Sequence, residues 1–149
     1  MPTYRERLWP APWMFVAIAL VIPATLLVFL PINLTVGVVV AVVLFASCCG
    51  ILLATAPTIE VLPGEIRAGR ATLPLKLCSG VEAFFGQEAT LERGQRLDAR
   101  AWLLLRGWIS PVARVRLSDP SDPTPYWLVS TRTPDRFAAA VQRAKETGI

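Results

Sequence analysis

From Leu8 to Ile59 the chain runs 52 residues without a charged side chain, and most of them are Val, Leu, Ala, Ile or Phe. A helix that crosses a bilayer needs about 20 such residues, so the run is long enough for two crossings and short of three. Leu30, Pro31, Ile32 and Asn33 divide it with a helix breaker and a turn-forming amide. This predicts spans over about residues 12–30 and 34–56, the first kinked at Pro23 and the second closed by Pro57. The chain then reads as an N-terminal tail and transmembrane hairpin over 1–57, followed by one small domain over 58–149.

The flanks orient the hairpin. Tyr4, Trp9 and Trp13 stand where amphipathic rings favour the headgroup level. Arg5, Arg7, Arg67 and Arg70 lie on the flanks, and the hairpin tip carries neither Lys nor Arg. The positive-inside rule therefore predicts a multi-pass protein of the plasma (inner) membrane with both termini in the cytoplasm. In the second span Gly37 and Ala41, and again Ala46, Gly50 and Ala54, stand at four-residue spacing, which permits close helix approach. They serve either packing of the two spans on each other or a partner helix, in another membrane protein or a second copy. A cleaved signal is the competing reading of Arg5 and Arg7 before an apolar run, but the run continues far past a signal's length. Phe45-Ala46-Ser47-Cys48 loosely mimics a lipidation site, at a depth no signal peptide normally reaches.

Charge is concentrated after the spans. Thirteen of 15 basic and 10 of 11 acidic residues lie from Thr58 onward, a net of +3. That excess is below what nucleic-acid binding calls for, and suits a domain near anionic inner-leaflet lipids. Cys48, Cys49 and Cys78 have no His beside them and no Cys-x-x-Cys spacing, so they read as small apolar residues in a reducing compartment, with no metal or cofactor implied.

The domain alternates short strands with turns. Strands are expected at 58–62, 65–68, 73–77, 81–85, 102–105, 113–117 and 126–131, with Pro63-Gly64 as a hairpin turn and Pro74 on an edge. The 102–105 run, continuously apolar, is expected to be a central strand. Residues 86–100 turn polar and read as a surface loop with one helical turn at most. A C-terminal helix is expected over about 134–147, with Thr133 capping it, Pro134 first, Gly148 past its end, and Phe137, Ala140, Val141 and Ala144 as its apolar stripe. Seven short antiparallel strands and a closing helix suggest a pleckstrin-homology-like barrel, a small α+β domain behind a membrane hairpin.

Tyr4-Arg5-Glu6-Arg7-Leu8-Trp9, the Gly64–Leu75 hairpin region, and Asp119-Pro120 with Asp122-Pro123-Thr124-Pro125-Tyr126-Trp127-Leu128-Val129-Ser130-Thr131-Arg132 resemble a family of small actinobacterial membrane proteins classified only as a domain of unknown function (3093). The resemblance spans nearly the whole chain. It implies an integral membrane protein with a compact C-terminal domain, and no activity.

Chemistry finds little support. Without His, the Ser-His-Asp and Cys-His arrangements are excluded. Asp119 and Asp122 are close carboxylates, yet Asp in a Pro-rich turn serves backbone capping. The richest binding constellation is Arg106, Arg114, Arg116 and Arg132 with Trp108, Tyr126 and Trp127, which could grip phosphate headgroups or a partner's carboxylates. The expectation is thus a non-enzymatic, membrane-anchored adaptor, and the alternative an accessory subunit of a transport or cell-envelope assembly that acts through its spans.

Overall fold

A computed structural model of the chain describes residues 1–148. It divides into two units, one made of Trp9–Ala56 and the other of Met1–Leu8 together with the chain from Pro57 onward.

The apolar unit holds helices α1 (Pro12–Ala19), α2 (Val21–Phe29) and α3 (Leu34–Ala54). Pro23 has no N–H to offer the carbonyl of Ala19, and the helix breaks at Leu20 where that bond is missing. Asn33 starts α3, its Oδ1 accepting from Val36 N at 3.2 Å. Two stretches, Pro12–Phe29 and Leu34–Ala54, are long and apolar enough to cross a membrane, with hydropathies of 2.3 and 2.8. Gly37 and Ala41 are buried against the preceding helix. A Cβ on Gly37 would lie 2.7 Å from Cβ of Phe29, so glycine is what lets α2 and α3 meet.

The second unit contains eight strands: β1 (Tyr4–Arg7), β2 (Thr58–Leu62), β3 (Glu65–Ala68), β4 (Ala71–Pro74), β5 (Cys78–Phe84), β6 (Trp102–Leu104), β7 (Val112–Leu117) and β8 (Tyr126–Ser130). They form two four-stranded sheets, β1-β2-β3-β4 and β5-β7-β8-β6. This corrects three expectations. The strands number eight rather than seven among the described residues, the β6–β8 pair is parallel, and the sheets do not close into a barrel. The strand the sequence hides is β1. Residues expected to be a tail pair antiparallel with β2, from Tyr4 opposite Val61 to Arg7 opposite Thr58. Leu8 N then donates to Pro57 O at 2.9 Å, and the Leu8 side chain is fully buried.

The tight hairpin between β2 and β3 is set by Gly64, whose φ of 88° only glycine adopts without strain. Pro74 ends β4, which is an edge strand, and a short 3₁₀ turn over Leu75–Leu77 leads to β5. Helix α5 (Pro134–Thr147) buries Phe137, Ala140, Val141 and Ala144, so the expected stripe is the one that packs. With both sheets it encloses the main core, in which Ile59, Val61, Ile66, Val115, Val129 and Phe137 are almost completely buried. Filling one such position with an aromatic or aliphatic side chain contributes about 1.5–3 kcal/mol.

The polar stretch after Phe85 is a second correction. Gly86–Arg93 is a two-turn helix, α4, and Ala89 and Glu92 on it are buried. It covers the opposite face of the second sheet over Val112, Tyr126 and Leu128. With both faces covered, every residue of β8 is buried. The 102–105 run, expected to be central, is instead a three-residue edge strand.

Candidate interaction site

The Arg and aromatic constellation does not form one surface. Tyr126 and Trp127 are neighbours on β8, and strand alternation sends them to opposite faces. Tyr126 joins the cluster under α4, its hydroxyl accepting from Asp98 N at 2.9 Å. Trp127 lies in the main core against Trp102, ring centroids 4.5 Å apart. Arg106 lies over the Trp108 ring at 5.9 Å and donates through Nη1 to Leu105 O at 3.0 Å. Trp108 packs against the main core, and its buried Nε1 has no hydrogen-bond partner among the described residues.

Arg114 and Arg116 share the face of β7 that the spacing assigns them, but they meet acids of their own chain there. Register places Glu82 of β5 opposite Arg114. Arg114 donates to Glu82 Oε2 through Nε at 2.9 Å and also through Nη2, and its Nη1 reaches Glu92 Oε2 at 2.8 Å. Arg116 Nη2 takes Glu82 Oε1 at 2.9 Å. Arg96 closes the set, with Nη1 2.6 Å from Glu88 and 3.5 Å from Glu92. Hydrogen bonding from Arg114, with the two guanidinium charges adding to it, holds the Glu82 carboxyl below its ordinary range. Three arginines and three glutamates therefore neutralise one another, and Arg114 also lies 4.9 Å from the Phe84 ring and 5.6 Å from that of Tyr126. Arg116 is the more exposed of the pair, 55 % against 19 %.

Arg132 belongs to a different cluster, which the sequence did not suggest. Glu6 of β1 accepts from Arg132 N at 3.0 Å and from the hydroxyls of Tyr4, at 2.6 Å, and Thr131. Tyr4 Oη also lies 2.8 Å from Thr133 Oγ1 and 3.1 Å from Thr131 Oγ1. Arg132 Nη1 approaches Glu6 at 3.8 Å. Thr133, expected to cap α5, makes no capping bond from its side chain and joins this cluster instead. The carboxylate of Glu6, one strand away in space, sits beside the start of the helix, where the positive end of its dipole favours an anion. Burial, reinforced by the Glu6 carboxylate, pushes the Tyr4 hydroxyl above its ordinary pKa. Tyr4 and Glu6 lie at the chain's start and Thr131 and Arg132 end the long motif, so the structure joins the two stretches that carry the family resemblance.

Asp119 and Asp122 cap their own turn. Asp119 Oδ1 accepts from Ser121 N at 2.9 Å and Asp122 Oδ1 from Thr124 N at 2.8 Å. On α3 the small residues divide: Gly37 and Ala41 are buried within the hairpin, whereas Ala46, Gly50 and Ala54 are exposed. A Cβ on Gly50 would meet nothing within 4 Å. One cavity of about 540 Å³ opens between the β4–β5 connection and the end of α5, lined by Pro74, Leu75, Lys76, Cys78, Ala144 and Lys145 among others. Burial raises the Cys78 thiol's pKa, and the nearby Lys145 ammonium pulls against that rise.

These features define a chain with two long apolar helical stretches and a two-sheet domain built from residues on both sides of them. It belongs to the family described as Protein of unknown function (DUF3093), whose match covers residues 3–141 and so takes in β1, all three apolar helices and most of α5. No curated protein and no solved structure matches the chain.

Proposed function

We propose that this is a non-enzymatic integral membrane protein, a two-span hairpin that holds its domain at the cytoplasmic face as an interaction module for another membrane protein or the inner leaflet. The carrying observation is the pairing of β1 with β2. The strand before the apolar segment and the strand after it are neighbours in one sheet, and Leu8 is hydrogen-bonded to Pro57. Both ends of the segment therefore start from one folded body, which favours an even number of crossings. The same pairing argues against a cleaved signal, because cleavage would remove a strand and a fully buried leucine from the domain. Burial argues in the same direction. A core helix of a soluble protein is mostly covered, while the most apolar windows of these two stretches are 0 % and 11 % buried.

Of Arg114 and Arg116, which both pair with Glu82, Arg116 is the better contact, since it is the more exposed and Arg114 is also tied to the buried Glu92. Topology tests the reading. In a background with the three native cysteines replaced by alanine, Asn33→Cys should react with a membrane-impermeant thiol reagent added to intact cells. Arg70→Cys should react only after permeabilisation. Equal reaction of both in intact cells refutes the hairpin.

A second reading has its own observation. The exposed Ala46, Gly50 and Ala54 leave a face of α3 open to a helix of a transport or envelope assembly. Under it, replacing Gly50 and Ala54 by leucine dissolves the assembly while the domain stays folded. Under the adaptor reading, the same pair is without effect.

A further inference from the structure

The chain has two lysines, Lys76 and Lys145, and both line the one cavity described above. They come from different elements, the 3₁₀ turn after β4 and the last turn of α5. Lys145 at a helix C-terminus has an ordinary explanation, since it opposes the helix dipole. Lys76, on another element, has none of that kind.

Among the described residues no carboxylate lines the cavity and none lies within ion-pair distance of either lysine. Arg67, Arg96, Arg100, Arg114 and Arg116 of the same domain each meet an acid, while Arg70, Arg93, Arg106, Arg136 and Arg143 meet none among the described residues; what sets the two lysines apart is that they share a cavity. The floor is apolar, with Leu75, Cys78 and Ala144 buried. The volume, about 540 Å³, falls within the roughly 300–1,000 Å³ of small-molecule sites, which combine apolar walls with a few convergent polar groups.

We propose that the cavity binds a small amphiphilic anion, an alkyl group bearing a phosphate or carboxylate, with its charged head at Lys76 and Lys145 and its apolar part on Leu75, Cys78 and Ala144. Two ammonium groups with no counter-charge among the described residues select the head by charge, and the uncharged floor rewards a tail that a bare inorganic anion lacks.

Two lysines give a direct assay. Reductive dimethylation with ¹³C-formaldehyde keeps their charge and yields two lysine NMR signals besides the N-terminal amine, in the full chain reconstituted in phosphatidylcholine nanodiscs. Hexyl phosphate should move both lysine signals along one saturating curve and leave the N-terminal signal in place. Lys145→Gln should raise the midpoint at least fivefold, and Lys145→Arg should restore it to within twofold of wild type. If phosphatidic acid in the disc moves both signals without hexyl phosphate, the same chemistry is supplied by a lipid headgroup. The proposal is overturned if inorganic phosphate acts at the same concentrations, if only one lysine responds, or if neither responds to hexyl phosphate or to phosphatidic acid.

Discussion

Arg114 was the natural choice for a partner-binding residue, and its surroundings make it a structural one, which predicts an outcome opposite in kind to a surface mutation. In Arg114→Ala the bonds to Glu82 are the smaller loss. That carboxylate is 41 % exposed, and an exposed pair contributes about 0–1 kcal/mol. Glu92 matters more, because its side chain is 2 % exposed and its Oε2 is left without Arg114 Nη1 at 2.8 Å. Its remaining partner is Arg96, 3.5 Å from Oε1. Breaking a buried ion pair from one side costs about 3–5 kcal/mol, and the surviving arginine moves the estimate to the lower end. Loss of the guanidinium from the Phe84 and Tyr126 rings adds a further fraction, for a total of about 3–4 kcal/mol. For a domain near 100 residues this lowers Tm by roughly 12–30 °C. Arg116→Ala, which breaks only exposed contacts, should cost under about 1 kcal/mol. Thermal melts read by proteolytic cleavage within α5, with the full chain in neutral nanodiscs, separate the two. The double change Arg114→Met with Glu92→Gln should recover much of the loss, since it removes the buried carboxylate together with its half-buried partner. An Arg114→Ala protein that melts within a few degrees of Arg116→Ala would show that the network is not a source of stability.

Other perturbations follow from the same geometry. Tyr4→Phe keeps the ring against Phe137, 5.6 Å away, but removes a hydroxyl that serves Glu6, Thr131 and Thr133; it should cost about 1–3 kcal/mol in denaturant unfolding, and no measurable cost would deny the cluster a stabilising role. Gly37→Leu should loosen the hairpin by about 1–3 kcal/mol, seen as faster amide exchange in α3, whereas Gly50→Leu should leave that exchange unchanged. The Glu82 carboxyl is held below its ordinary value of 4.5, so its contribution is present above that pH and is lost as pH falls through the lowered folded value. The raised Tyr4 hydroxyl works in the other direction, its contribution complete below pH 10.0 and lost as pH rises past it. The Cys78 thiol, raised by burial from 9.0, acts in the same alkaline direction and begins at lower pH. Unfolding midpoints should therefore be flat from about pH 5 to 8 and fall outside that window; a Glu82→Gln protein should lose part of the acid limb, and an unchanged limb would assign it elsewhere.

What could be read from the sequence depended on how far away the partner was. Helix α5 was legible because its stripe repeats within the element, and the β2–β3 turn because Pro63-Gly64 announces it locally. Strand β1 was not, since Tyr4, Arg5, Glu6 and Arg7 offer no apolar alternation and pair with a strand beyond the whole apolar segment. Helix α4 is hidden in the sequence because its buried face is one alanine and one glutamate, and that glutamate is acceptable inside because β7 brings Arg114 to it. Tyr126 and Trp127 did carry their own signal. Period-two alternation in a strand puts neighbours on opposite faces, and their adjacency in the sequence concealed it.

The pairing of β1 with β2 also orders events in time. During synthesis Tyr4–Arg7 leaves the ribosome first, and its partner strand follows only after the apolar segment, about fifty residues later. At about 5–20 residues per second, β1 stays unmatched for roughly 2–10 s. The edge that β1 supplies to its sheet cannot form in that interval, so the whole apolar segment emerges before the domain can close, and a ribosome that stalls within α3 leaves β1 without the strand it pairs with.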